Sequence, residues 1–178
     1  MKEREKLKCG VGFYLMADRA ILPTEAITEN RLRVDIEPVT VFDYRNRAEF
    51  IAALEKAIAA GNPVVPNPTD EELQTCGDGF SEFKEPAGLK YSGLPTWDEL
   101  ERKSILASIR CYPSGYLLEV FDRANDGKWS EDTALELRLP ANVGLSGVVD
   151  AILDHLKSRK DIPGSVVDFN QSKTVKGA

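Results

Sequence analysis

The chain is poor in the residues from which most catalytic and metal sites are built. Histidine occurs once, as His155, and cysteine three times, as Cys9, Cys76 and Cys111. Three scattered cysteines give neither a disulfide framework nor a C-x-x-C zinc motif, and the sequence has no H-x-x-x-H pair. Glycine-rich phosphate loops of the G-x-G-x-x-G or G-K-[ST] type are also absent. The sequence therefore predicts no metal, no cofactor and no nucleotide site, and it favours a reducing compartment.

Long apolar runs and an excess of positive charge are lacking as well. No stretch approaches the ~18 apolar residues of a membrane span, and the opening MKEREKLK has no apolar signal segment. We therefore expect a cytoplasmic protein without a membrane partner. The formal charge is −6, from 23 basic and 29 acidic residues. Because an acidic chain is unsuited to holding phosphates, we expect no nucleic-acid partner and instead a basic protein partner.

The clearest pattern in what is present lies between residues 103 and 160. Strand-like runs cover 104–112, 116–121 and 134–139, with Pro113-Ser114-Gly115 and Asn125-Asp126-Gly127 as turn signals between them. After Pro140, apolar residues recur at helical spacing, and either Asn142 or Ser146 is expected to cap this helix. The pattern predicts an antiparallel meander covered by a C-terminal helix, whose apolar residues are Leu145, Val148, Val149, Ile152, Leu153 and Leu156.

The N-terminal half contains fewer regular elements. Strands are predicted over 11–17 and 32–42, the second broken near Glu37-Pro38, with 18–31 as a connection between them. Strong helix formers over 47–60, followed by Gly61, predict a helix.

The segment 62–95 is expected to be a long irregular excursion, because prolines and glycines interrupt it repeatedly. Within it, Thr69 is expected to cap a short helical turn that ends at Leu73, and Thr96 to cap a further short helix. Together the patterns predict a single α+β domain over 1–178, with an antiparallel β-meander sheet packed by amphipathic helices. The ends, 1–8 and about 165–178, are expected to be flexible.

The segment between Asp70 and Glu85 departs from a neutral charge pattern. Lys84 is the only basic residue there, whereas the acids are Asp70, Glu71, Glu72, Asp78, Glu82 and Glu85. The simpler interpretation is a solvated face. The alternative is a recognition surface, because aromatic residues, Phe80, Phe83, Tyr91 and Trp97, lie among and after the acids, as in many protein interfaces. In that hypothesis Phe80 and Phe83 are the anchors.

Nucleophilic catalysis is a competing hypothesis. Cys76 lies in the glycine-containing loop Thr75-Cys76-Gly77-Asp78-Gly79, and His155 is the only histidine that can serve as its base. The spacing of these two residues carries no information, and the simpler interpretation is a loop thiol and a surface histidine. Rapid alkylation of Cys76 at neutral pH would identify a poised thiolate.

A set of structural motifs runs from Trp97 to the end of the predicted C-terminal helix. It comprises Trp97, Leu100 and Lys103, the strand 105–109, Gly115-Tyr116, Gly127-Lys128-Trp129, Leu139-Pro140-Ala141 and the helix 148–156. In these motifs the last third of the chain resembles the immunity proteins of bacterial contact-dependent growth inhibition systems. The resemblance is one of pattern and includes no catalytic signature.

The resemblance implies a function in binding. A protein of this kind is made by the cell that carries the toxin, and it binds the toxin's C-terminal domain, often a nuclease, without turnover. The sequence hypothesis is therefore stoichiometric inhibition of a basic nuclease through the acidic segment, and no enzymatic activity. The alternatives are an enzyme that uses Cys76 and a scaffold or regulatory module unrelated to toxins.

Overall fold

The computed structural model describes residues 5–75 and 81–160 and builds them into an α+β fold around one open sheet. Four helices are present in these residues: α1 Arg47–Ala60, α2 Ala87–Ser92, α3 Trp97–Lys103 and α4 Gly144–Ser158. The strands are β1 Cys9–Met16, β2 Ala20–Thr28, β3 Arg33–Phe42, β4 Val64–Val65, β5 Leu73–Thr75, β6 Ser81–Phe83, β7 Ser104–Tyr112, β8 Gly115–Arg123 and β9 Trp129–Pro140. None of the helices in these residues is long and apolar enough to cross a membrane.

The sheet has the order β3-β2-β1-β7-β8-β9, and all of these neighbours are antiparallel. The short β4 adds to β2 in parallel, and β5 and β6 form a separate two-stranded ribbon. The predicted fold class is confirmed, including the meander of β7, β8 and β9 and the C-terminal helix. β1 joins the meander to the N-terminal strands by pairing with β7.

The sheet has an apolar layer on each face, because side chains alternate along β1. Phe13 and Leu15 point into the larger core, where α1 and α4 pack. Tyr14 and Met16 point the other way, into a smaller core beneath α2 and α3 that also contains Leu100. Alternation of this kind is expected of a strand covered on both faces. The sheet therefore separates the larger core beneath α1 and α4 from the smaller core beneath α2 and α3.

Helix α1 is confirmed at the predicted bounds. The Asn46 side chain accepts hydrogen bonds from the backbone nitrogens of Ala48 and Glu49, and Gly61 ends the helix with φ +70°. The predicted cap of α4 is wrong, since neither Asn142 nor Ser146 accepts a bond from its first turn. Asn142 lies within a 3₁₀ turn over Ala141–Val143 and so lacks the extended backbone of an N-cap, and the chain enters α4 through Gly144 with φ +61°.

The predicted connection 18–31 is wrong, because it contains the buried strand β2. Pro23 and the polar pair Thr24 and Glu25 interrupt its apolar residues and hide the strand pattern. The ladder with β3 shifts register between Leu22 and Thr24, so Pro23 occupies an irregularity where no ladder donor is needed. The predicted break in β3 near Glu37-Pro38 faces this irregularity, and it is confirmed.

The other differences concern where elements begin and end. β1 begins two residues before the predicted 11–17, and β8 and β9 extend beyond 116–121 and 134–139, since Arg123 pairs with Trp129. The excursion 62–95 is less irregular than expected, because it contains β4, α2 and the β5–β6 ribbon. Thr69 caps no helix: its hydroxyl donates to the Glu72 carboxylate (3.0 Å) in a turn, and β5 follows at once.

Helix α3 is fixed to the sheet by one guanidinium group. Arg123 of β8 donates to the carbonyl oxygens of Glu101 and Arg102 in the last turn of α3, and to those of Ser104 and Gly127. The last carbonyls of a helix have no partner within the helix, so this side chain supplies donors that the helix lacks. The anchored helix forms one side of the site described next.

Candidate functional site

The first predicted acids lie in a turn that leads into β5. Asp70, Glu71 and Glu72 are all exposed. The Glu72 carboxylate accepts hydrogen bonds from the backbone nitrogen (2.8 Å) and hydroxyl of Thr69, and these bonds lower the pKa of Glu72. The Glu72 carbonyl oxygen in turn accepts a hydrogen bond from the backbone nitrogen of Lys84, 3.0 Å away, at the end of the ribbon. Glu72 therefore has a structural role in holding the turn, whereas the Asp70 and Glu71 side chains face solvent.

Some of the remaining predicted site residues lie in the described part of the chain, and others lie outside it. Phe83, at the end of β6, is half-buried, and Glu85 is exposed. Glu82 lies in β6 with its backbone opposite Gln74. Asp78 and Phe80 lie outside the described residues, so their part in a site stays a prediction.

Four of the predicted residues are brought together around a shallow hollow of about 310 Å³. Glu71, Glu72, Phe83 and Glu85 border this hollow together with Lys84, and we call it the acidic hollow. The Lys84 ammonium donates to the carbonyl oxygen of Glu71 at 2.6 Å. The Lys84 ammonium is therefore directed to the turn, and three acidic residues, Glu71, Glu72 and Glu85, border the same hollow.

A larger cavity of about 500 Å³ adjoins the acidic hollow, and Phe83 and Lys84 line both. We call it the aromatic groove. Most of its wall residues are apolar, and they come from β6, from α2 with the residue before it, and from the segment that opens α3. These wall residues are Phe83, Pro86, Leu89, Pro95 and Trp97.

The floor of the groove is formed by β1 and β3, and it is polar at its centre. The Tyr14 hydroxyl donates a hydrogen bond to the Asp35 carboxylate. The Tyr14 ring is 6% exposed, stacks on Trp129 at 5.3 Å between centroids and meets Trp97 edge to face at 5.9 Å. The two indoles hold the phenol ring in place, so the hydroxyl reaches Asp35 from a rigid position.

Asp35 on this floor and the nearby Glu25 of β2 both have perturbed pKa values. Burial raises the pKa of Asp35 from 3.8 to about 6; the hydrogen bond from Tyr14 opposes this rise, and the nearby charge of Glu25 adds to it. Burial also raises the pKa of Glu25, against the lowering effect of Arg33 and Arg110. Burial and the carboxylate of Asp35 raise the pKa of Tyr14 well above its usual range. A perturbed carboxyl in a cavity is typical of functional sites, although ion-pair networks produce it as well.

The open face of the sheet continues beyond the groove as a row of ion pairs. Arg33 contacts Glu25 at 2.6 Å, and Arg110 contacts Glu119 at 3.2 Å. Gly10 lies beneath the first pair, and a Cβ at this position would come within 2.7 Å of the Arg33 guanidinium. A glycine here therefore lets the Glu25–Arg33 pair lie close to the sheet.

The residues of the catalytic hypothesis are not assembled in the part of the chain that the structure describes. His155 lies in α4, on the other side of the sheet from the groove, and Cys76 lies outside the described residues. Burial raises the pKa values of Cys9 and Cys111, so neither is a poised thiolate. Within residues 5–75 and 81–160, no group of three His, Cys, Asp or Glu side chains is placed to hold a metal ion.

Sequence reasoning missed the floor of the groove. Trp97 was expected among the aromatic candidates and lines the groove, whereas Tyr91 is exposed on α2. Tyr14 is part of an apolar run, and Asp35 alternates with apolar neighbours as any solvent-facing strand residue does. Only the contact between Tyr14 of β1 and Asp35 of β3 identifies them as site residues. Predicting this contact requires β2, which lies between the two strands.

Comparison with known proteins identifies a fold but no activity. No protein-family model matches the chain, and no curated protein matches it. Among solved structures, the chain is similar to a protein of unknown function, NMB0488, from Neisseria meningitidis. The sequence identity is 12% and the TM-score 0.53, with 87% of this chain and 96% of that one covered. At this identity the similarity concerns the fold alone.

Proposed function

We propose that this protein is an immunity protein that acts in the cytoplasm. It binds the C-terminal toxin domain of a contact-dependent growth inhibition effector, a basic nuclease, and neutralises it by stoichiometric inhibition. The observation that carries the proposal is the continuous surface made by the acidic hollow and the aromatic groove, which share Phe83 and Lys84. The resemblance of the last third of the chain to such immunity proteins supports the same function.

The composition of this surface is suited to a protein partner. Phe83 and Trp97 provide aromatic area next to solvent, and Asp70, Glu71 and Glu85 provide exposed negative charge at the edge. Stable interfaces combine aromatic anchors at the centre with a polar rim, and the anchors contribute most of the affinity. A rim of one sign also accelerates association with a partner of the opposite sign. A basic nuclease has the complementary charge.

A second candidate is an enzyme that modifies or repairs a target, and Asp35 is the observation in its favour. A carboxyl with a pKa of about 6 beside a tyrosine hydroxyl is suited to general acid or base catalysis near neutral pH. The two functions differ in stoichiometry. An enzyme protects the toxin's target at a small fraction of the toxin concentration, whereas an inhibitor that acts by binding requires one molecule for each toxin molecule.

The test is a titration of a candidate toxin domain, taken from the gene immediately upstream of this one. We expect its nuclease activity to fall linearly with added protein and to vanish at one equivalent, and we expect a complex to elute as one species in size-exclusion chromatography. Protection at a small fraction of one equivalent would favour the enzyme. Undiminished nuclease activity with both proteins folded would exclude the immunity function for this pair.

Reversing the exposed acids at the rim is expected to slow association. We predict that the triple variant Asp70→Lys, Glu71→Lys and Glu85→Lys associates about tenfold more slowly at low salt, because the electrostatic attraction becomes repulsion. Surface plasmon resonance at two salt concentrations measures this, and the difference should shrink at high salt, where charges are screened. Glu72 is left unchanged because it holds the turn.

The matched control carries the same change in net charge elsewhere. Glu55 is exposed on α1, on the other face of the sheet, and Glu131 and Asp132 are exposed near the start of β9. The control variant Glu55→Lys, Glu131→Lys and Asp132→Lys should associate at nearly the wild-type rate. Equal slowing in both variants would show that net charge, and not the acidic hollow, directs the encounter.

A further inference from the structure

The aromatic groove contains one carboxylate with no cation beside it. Among the described residues, Asp35 has Tyr14 as its hydrogen-bond partner and forms no ion pair. Tyr14 donates to one of the two carboxylate oxygens. Since each carboxylate oxygen accepts up to two hydrogen bonds, Asp35 retains most of its capacity.

The two cations that line the groove are already engaged. Arg33 contacts Glu25 at 2.6 Å, and Lys84 donates to the Glu71 carbonyl oxygen at 2.6 Å. Neither of them is paired with Asp35. The floor of the groove therefore presents a negative charge that a cation from outside the chain can neutralise.

We propose that the aromatic groove is the receptor for one arginine side chain of the basic partner, with the guanidinium group donating to Asp35. The identity of the partner rests on the proposed function, whereas the arginine site itself rests on the groove. The guanidinium would lie against the aromatic surface of Trp97 and Phe83, which attracts cations through the ring faces. The aliphatic stem of the arginine would contact Leu89 and Pro86 on the wall.

The chemistry of the groove favours arginine over lysine. A guanidinium is planar, stacks on aromatic rings and donates two parallel hydrogen bonds to a carboxylate, and it is less strongly hydrated than an ammonium group. The volume of about 500 Å³ lies within the ~300–1,000 Å³ usual for ligand cavities, so it accommodates such a side chain with its flanking backbone. Arginine is also enriched among the residues that dominate binding energy in interfaces.

The first experiment needs no toxin. N-acetyl-L-arginine amide is titrated into the ¹⁵N-labelled protein, and the amide signals of Asp35, Leu89 and Thr96 are followed. N-acetyl-L-citrulline amide, which is nearly identical in shape but uncharged, is the control ligand. We expect saturable shifts with the arginine compound in the roughly millimolar range, much smaller shifts with citrulline, and loss of the difference in Asp35→Asn. Equal shifts with both ligands, or shifts that persist in Asp35→Asn, would overturn the assignment.

The second experiment uses the complex. We expect Asp35→Asn to weaken toxin binding about 30-fold, because a desolvated guanidinium would then lack its counter-charge. Asp132→Asn, which makes the same change at an exposed position on β9, should bind as the wild type does. Asp35→Asn is expected to be more stable than the wild type, and a far-ultraviolet circular dichroism spectrum of the variant shows that it is folded before its binding is measured.

The two experiments separate the site from the function. Toxin binding that is identical for the wild type and Asp35→Asn would reject the arginine site and leave the immunity function standing. An arginine-specific response in the first experiment, together with no complex in the second, would support the arginine site and reject the proposed toxin partner.

Discussion

Replacing Gly115 with alanine is expected to destabilise the protein by about 4 kcal/mol, a magnitude reserved for specific steric or burial defects. Gly115 opens β8 after the turn at Pro113-Ser114, and its φ of +150° is costly for any residue with a Cβ. A Cβ at this position would overlap the Leu139 carbonyl oxygen and lie 2.9 Å from the Ala141 nitrogen. Both contacts are with backbone, so no side chain can move aside to relieve them.

A substitution at a second glycine, Gly61, measures the backbone-strain contribution without the steric one. Gly61 has φ +70° after α1, and a Cβ there would meet nothing within 4 Å. The Gly61→Ala variant should therefore lose only about 2 kcal/mol, the cost of placing alanine at a φ of +70° and ψ of −161°, a backbone conformation that only glycine adopts readily. Urea unfolding followed by far-ultraviolet circular dichroism gives both values. Equal losses in the two variants would contradict a close approach between Gly115 and β9.

Replacing Asp35 with asparagine is expected to stabilise the protein by about 3 kcal/mol near pH 8. The carboxyl has a pKa of about 6 in the fold and 3.8 as its ordinary value, and each unit of difference corresponds to about 1.36 kcal/mol. The cost arises because a charged carboxylate is held away from water without a cation. Asparagine is neutral and of similar size, and its oxygen can still accept the hydrogen bond from Tyr14.

The effect should depend on pH in a defined direction. Because the pKa of Asp35 is raised in the fold, the native state holds more protons than the unfolded state between about pH 4 and pH 6. Ionisation therefore lowers the stability of the wild type as the pH rises through this window, and the penalty is complete above about pH 7. The advantage of Asp35→Asn should fall from about 3 kcal/mol near pH 8 to about 1 kcal/mol near pH 4.5.

Urea unfolding of both proteins at the two pH values measures this difference. Asp132→Asn, at an exposed position, should change the free energy of unfolding by less than about 0.5 kcal/mol at either pH. A lower stability of Asp35→Asn near pH 8 would mean that the ionised carboxylate stabilises the fold through its bond to Tyr14. If the predicted gain is found, the wild type retains a costly charge at the floor of its groove, as binding sites commonly do.

The elements that could be predicted from the sequence are those in which local signals agree. Helix α1 has strong helix formers between a favourable cap and Gly61, and the meander has alternation with turn residues at its ends. The cap of α4 was wrong because Asn142 belongs to a 3₁₀ turn that precedes the helix, and no residue pattern distinguishes this from an ordinary start. β2 was missed because Pro23 and Glu25 break its alternation.

The candidate site was predictable only in part, for the same reason. Glu71, Glu72, Phe83 and Glu85 are near one another in the chain, so their clustering around the acidic hollow follows from local sequence. The groove floor depends on pairing between strands that are distant in sequence. With 18–31 taken as a connection, β3 had no defined neighbour, and Asp35 could not be placed beside Tyr14.

The packing around Tyr14 also determines which layer of the fold contributes the tryptophan fluorescence. The chain has two tryptophans, Trp97 and Trp129, and both contact the Tyr14 ring on the groove side of the sheet. The side of the sheet that carries α1 and α4 therefore has no indole, and tryptophan emission reports on one layer of the fold. A partner that enters the groove should change the emission spectrum, whereas a ligand bound to α1 or α4 should leave it unchanged.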